Sequence, residues 1–141
     1  MVDKPKCDQM LSNLHRYLQA LEELADVPRE RFLNNKDKIG SAKYHFVIAI
    51  EACIDIANHI ISSERYRIPR DNADSLVVLA EGGLFSETKA ASYAAMARFR
   101  NRLVHLYWDV DDGLVHEYLQ TRLGDLRSFI ADVSSFVARQ V

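Results

Sequence analysis

Residues 94–110 read AAMARFRNRLVHLYWDV. Wound into a helix at about 100° per residue with Arg100 at zero, the stretch divides into three stripes. Met96, Phe99, Leu103, Leu106 and Val110 fall between about −120° and −40°, an apolar stripe that has to face a core. Arg98, Arg102 and Asp109 lie near about 180°, where charge meets water. Between about −20° and 140° come Tyr107, Arg100, Val104, Ala97, Trp108, Asn101 and His105. That mixture makes a poor solvent face. It suits a cleft or a subunit interface, where small residues permit close approach and Trp, Tyr and Arg are enriched. The plainer alternative is a partly exposed flank with a snorkelling arginine.

Working outward, the rest of the chain repeats the helical period. Leu11, Leu14, Leu18, Leu21 and Ala25 recur at three- and four-residue steps, and Pro28 marks the end of that first helix. A second, more apolar helix is expected from about Lys38 to Ser63, carrying Phe46, Ile50, Cys53, Ala57 and Ile60. Ser62–Pro69 reads as a connector, with Ile68 held extended by the proline after it. Asp71 or Asn72 caps a short third helix that stops at Gly82-Gly83, and Ser86 caps the fourth. Asp111 or Asp112 opens the last, whose seam is Leu119, Leu123, Leu126, Ile130, Val133 and Val137, with a bend expected at Gly124. The economical arrangement is all-α, an antiparallel four-helix bundle with one short extra helix, in a single domain over residues 1–141.

Composition is consistent with that. Five glycines and three prolines in 141 residues leave few breakers, and 48% hydrophobic against 27% charged is an ordinary globular balance. A net charge of −2 gives no global basic footprint, so any contact with nucleic acid has to be local. Cys7 and Cys53 are too few for a disulfide framework and read as free thiols in a reducing cytoplasm. Asp3, Lys4 and Lys6 interrupt any secretory leader, and apolar runs such as Phe46 to Ile50 are far too short to span a membrane.

The chemistry-bearing residues sit on the fourth helix. Histidine titrates near neutrality and can move a proton, while arginine presents a planar fork of donors matched to phosphate oxygens. Asn101, four residues before His105, can bond the imidazole or a backbone phosphate. Arg100 and His105 lie about 140° apart, too wide for one copy to clasp one phosphate easily. A two-fold axis that brought two copies together would interleave them in one cleft. On the second helix Glu51, Asp55, Asn58 and Ser62 fall within about 60° of one another; one of them orients Arg100 or His105, or they form a solvated stripe. His15, His45, His59 and His116 read as exposed or packing residues. His105 and Asp109 supply two metal ligands at most, so neither a metal nor a cofactor is expected. Glycine-rich phosphate loops and nucleophile elbows are absent from the sequence.

The run Arg100-Asn101-Arg102-Leu103-Val104-His105, continued by Leu106-Tyr107, resembles the signature of HEPN domains, specifically of their HepT-like branch. IEACIDIANHI at residues 50–60 and RLGDL at 122–126 are similar to that branch too, so the likeness covers nearly the whole chain. The resemblance implies a metal-independent endoribonuclease toxin of a two-gene module. Its RNA-cleaving site would be built from Arg100 and His105 at a homodimer interface that includes Ala97, Val104 and Trp108. Asn101, Glu51 and Asp55 would support it. The resemblance also implies a partner nucleotidyltransferase antitoxin of the MNT type that silences the enzyme by adenylylating Tyr107, which the wheel places about 20° from Arg100. The competing reading is a non-catalytic helical subunit that binds nucleotide or substrate for a split nucleotidyltransferase; an intact Arg100 and His105 favours the nuclease.

Overall fold

A computed structural model describes residues 1–140. Among them are α1 (Lys4–Ala25), α2 (Arg29–Leu33), α3 (Lys36–Glu64), α4 (Asn72–Glu81), α5 (Glu87–His105), a 3₁₀ turn (Tyr107–Asp109), α6 (Asp112–Thr121) and α7 (Leu123–Ala138), with no strand. α3 is the axis of the bundle: it packs against α1, α2, α4, α5 and α6, while α7 closes the far side on α1, α5 and α6. By length and composition α3 could cross a membrane, yet half of its most apolar window is buried within this bundle. Phe46, Ile50, Ile56 and Ile60 of α3 are fully or almost fully enclosed, and Phe46 meets Phe99 of α5 edge to face at 5.5 Å. The first-helix leucines and the Met96, Phe99 and Leu103 stripe lie in the same core.

Local signals explain most helix boundaries. Asp3, Asn35, Asp71, Ser86 and Asp111 each place a side-chain oxygen on a backbone N–H of the following turn. α4 ends as expected at the glycine pair: Gly83 takes a left-handed φ of 87° and its N–H reaches Ala80, while Leu84 N–H reaches back to Leu79. The ring of Tyr66 lies so close to Gly82 that a β-carbon there would clash with it.

Three boundaries differ from the sequence expectation. Pro28 does not simply end the first helix; it precedes the five-residue α2, which carries the fully buried Phe32 into the core. The last helix is broken at Arg122 rather than bent at Gly124, giving α6 and α7 as separate rods. α5 stops at His105, because Leu106 leaves helical geometry at φ −131°, ψ 42°. Leu106 is therefore 44% exposed instead of core, whereas Val110 is buried, but on the strand of chain leading to α6. The physical cause lies downstream. Asp109, Asp111 and Asp112 would collect at the negative end of a longer helix, and Asp111 instead caps α6, with Asp112 in its first turn.

The α3–α4 connector is fastened by one arginine. Arg67 grips the buried Asp74 with two bonds of 2.8 and 3.0 Å and Glu81 with two of 2.7 and 2.9 Å. The Arg67 hydrogen bonds, then the Arg70 backbone N–H, hold the Asp74 carboxyl well below the usual carboxylate range. A carboxyl lowered in the folded state contributes stability that is full above its unfolded value, about 3.9, and is lost as pH falls through the native value. Asp74→Asn should therefore lower the melting temperature at pH 7. The gap to wild type should shrink as thermal melts are taken progressively below about pH 4.

Candidate active site

Arg100 lies about a turn and a half from the end of α5, with its side chain 21% exposed. Its Nη2 donates to Glu51 Oε1 of α3 at 3.2 Å, and its Nη1 donates to Asn101 Oδ1 at 3.1 Å. Nε is buried and has no partner among the described residues. The guanidinium is thus aimed by one carboxylate and one amide, with donors left over on its Nη nitrogens. Asp55, one turn beyond Glu51, belongs to the same group. Partial burial and then the Glu51 carboxylate push its carboxyl up, with Arg100 pulling the other way. Asn58 and Ser62 do not join: Asn58 accepts a 2.9 Å bond from Ser75 of α4, and Ser62 is exposed.

His105 is the last residue of α5 and is exposed, without a side-chain hydrogen bond among the described residues. From Arg100 it is five residues along the helix, about 7.5 Å of rise and 140° of rotation. The structure does not bring the two side chains together within one copy. Arg98 and Arg102 are exposed on the outer face. The other histidines sit elsewhere. His116 packs on Phe32 with Arg29 at 3.4 Å, His59 accepts from the Asp3 N–H, and His45 bonds the Ser41 carbonyl at 2.8 Å. Among the described residues no three His, Cys, Asp or Glu side chains converge as a metal site would require.

Three residues of the mixed stripe are not where the wheel puts them. Ala97 is fully enclosed, beside Ile50 and Cys53 of α3, Leu76 of α4 and Phe129 of α7, so it is core and unavailable to a second copy. Tyr107 and Trp108 belong to the 3₁₀ turn, so the angle of about 20° between Tyr107 and Arg100 does not apply. Tyr107 turns toward α3, where the Lys43 ammonium lies over its ring at 4.3 Å from the centroid. Val104, Leu106, Tyr107 and Trp108 are 43%, 44%, 49% and 81% exposed, a run of apolar side chains around the end of α5. Lys43 is the residue the sequence reading missed. A lysine inside the most apolar helix was the available signal, since lysine is rarely buried without a partner.

A helical bundle with an anchored arginine and an open histidine on one helix, followed by a tyrosine on the next turn, defines a HEPN-type domain. The Ribonuclease HepT-like family model matches residues 14–133, and the chain belongs to that family. The mRNA nuclease HepT of Shewanella oneidensis is 36% identical over 80 residues, 57% of this chain and 60% of that protein. The match therefore spans less than two thirds of that relative's length. The tRNA nuclease HepT of Aphanizomenon flos-aquae is 23% identical over 127 residues, 90% of this chain and 86% of that one. Among solved structures, the tri-AMPylated Shewanella oneidensis HEPN toxin in complex with MNT antitoxin superposes with a TM-score of 0.85 at 25% identity. That superposition covers 96% of this chain and 99% of the toxin.

Because Glu51 is 41% exposed, its bond to Arg100 is partly screened, and Glu51→Ala should cost only about 0.5–1 kcal/mol of stability in chemical denaturation. The larger effect should be on the aim of Arg100, seen as loss of the single arginine side-chain NMR resonance that depends on that carboxylate.

Proposed function

We propose that this protein is a metal-independent endoribonuclease, the toxin of a two-gene module, working in the cytoplasm. Its cleaving site would form between two copies, and a partner nucleotidyltransferase would neutralise it by adenylylating Tyr107. The observation that carries the reading is the division of labour on α5: Arg100 is fixed by Glu51 and Asn101, while His105 stands open to solvent. The names of the relatives supply the substrate class, since the HepT proteins of Shewanella and Aphanizomenon are called mRNA and tRNA nucleases. An AMPylated toxin bound to MNT antitoxin supplies the precedent for the partner and for the modification.

The reaction follows from the side chains. His105 takes the proton of a ribose 2′-hydroxyl, whose oxygen attacks the adjacent phosphorus. The bond from phosphorus to the 5′-oxygen breaks, and an imidazolium returns a proton to that leaving oxygen. Arg100 faces the phosphorane oxygens, where charge develops. The separation of the two residues on one helix calls for Arg100 of one copy to work with His105 of its mate. The exposed run Val104, Leu106 and Trp108 is the surface suited to hold the copies together.

Arg100→Ala and His105→Ala should each lower RNA cleavage by about a hundredfold or more while leaving far-ultraviolet circular dichroism unchanged. Activity that persists in His105→Ala, or that ends on adding a chelator, would sink the mechanism. Retention of nucleotide binding with no cleavage by the wild type would favour the split-transferase subunit instead.

Val104→Arg places a charge at the centre of the proposed contact but on a side chain already exposed in the single copy, so the fold should survive. Light scattering should show wild-type dimers at micromolar concentration and monomers for the variant, because an unpaired charge buried between copies is strongly disfavoured. A wild-type monomer would remove the shared site.

A further inference from the structure

Lys43 stands on α3 eight residues before Glu51, about 12 Å away along the helix axis. Only 8% of its side chain is exposed, and two contacts hold its ammonium: Asp112 Oδ1 of α6 at 3.2 Å and the face of Tyr107 at 4.3 Å. An ammonium has three N–H donors. One carboxylate oxygen and one aromatic face leave it able to take another anion. The Asp112 side chain is 47% exposed, so release of that carboxylate to water is inexpensive.

We propose that Lys43 is the positioning residue that holds the Tyr107 ring before modification and receives the phosphodiester once Tyr107 carries a nucleotide. This rests on the reading of Tyr107 as the modified residue. In that transfer the Tyr107 phenolic oxygen bonds to the α-phosphorus of a nucleoside triphosphate. The bond from that phosphorus to the β-phosphate oxygen breaks, pyrophosphate leaves with the electron pair, and the phenolic proton passes to solvent. The product is an aryl phosphodiester with one negative charge.

That anion arrives in hostile surroundings. Asp109, Asp111 and Asp112 follow Tyr107 within five residues, and each repels it. Lys43 is the cation in contact with the ring, and its flexible four-carbon stem lets the ammonium move from the ring face toward an oxygen on the ring's edge. The exchange of Asp112 for the diester fastens the nucleotide against α3 and loosens α6 from the same lysine. Modification then becomes a change of ion-pair partner and not just an added group.

The test uses the wild-type chain with Lys43→Met, Lys43→Arg, Asp112→Asn and Tyr107→Phe, each incubated with the MNT nucleotidyltransferase and ATP. Intact mass follows the adduct, a phosphodiesterase challenges it, and phosphorus NMR reads its surroundings. Tyr107→Phe should take no adduct. In Lys43→Met the diester should be removed about tenfold faster than in wild type, with its resonance moved to that of free tyrosyl adenylate. Lys43→Arg should restore protection. Asp112→Asn, which leaves the ammonium in place, should keep it, and this holds the test open if Lys43→Met fails to fold. Equal protection and an unmoved resonance in a folded Lys43→Met overturn the proposal, as does loss of protection in Asp112→Asn. A wild-type chain that takes no adduct on Tyr107 brings down the modification reading itself, and is told apart because every Lys43 comparison then lacks its starting material.

Discussion

The contact between α3 and the segment from Arg100 to Tyr107 is the constraint on which the rest of the site depends. α3 is buried along most of its length, and it presents only a few polar groups to its neighbours. Two of these groups reach toward α5 and the turn after it: Glu51 takes the Arg100 guanidinium, and Lys43 lies under the Tyr107 ring. Eight residues on α3 are thereby matched to seven on the other segment, running in opposite directions. Phe46 against Phe99 fills the apolar interior alongside them.

The end of α5 has a cause of its own. Had the helix continued, three aspartates would have gathered at a negative helix terminus. Stopping at His105 avoids that. It leaves the histidine on the last helical residue, where neighbouring turns cannot cover it, and it pushes Leu106, Tyr107 and Trp108 outward together. An open imidazole and an adjacent apolar surface are therefore two results of one helix ending. In the composite-site reading this economy matters, since the surface that joins two copies lies immediately beside the residue each lends to the other.

These relations also explain how far the sequence could be read. Helix starts were legible because caps are local: Asp71, Ser86 and one of the Asp111/Asp112 pair announce themselves beside the turn they satisfy. The Arg100, Asn101 and Glu51 grouping was within reach because helical spacing places each on a definite side. α2 was not legible, since a proline serves equally to end one helix and to precede the next. The stop after His105 carries no glycine or proline, being set by the aspartates of the next turns, and a wheel assumes a helix that does not end. Ala97 shows the same weakness in another form. Its angle is that of the mixed stripe, but α4 packs against α5 and closes over it, which no property of alanine announces. The break at Arg122, two residues before the glycine suspected of it, shows that a poor helix former marks the neighbourhood of a fault more reliably than its place.

The acidic surroundings of Arg100 are at first sight wrong for a site that would bind phosphate. Glu51 neutralises the guanidinium, and Asp55 stands one turn further along. One feature reduces the difficulty. Glu51 itself holds one guanidinium nitrogen and leaves donors on the others. In the proposed reaction a diester phosphate with a single charge would compete poorly for Arg100, whereas a phosphorane, with more charge on its equatorial oxygens, would compete well. Resting neutralisation of this kind withholds binding from the ground state and releases it as charge builds, which is the condition under which an interaction accelerates a reaction instead of merely tightening the complex. The carboxylate that appears to obstruct the arginine is, in the proposed reaction, what keeps its strength for the transition state.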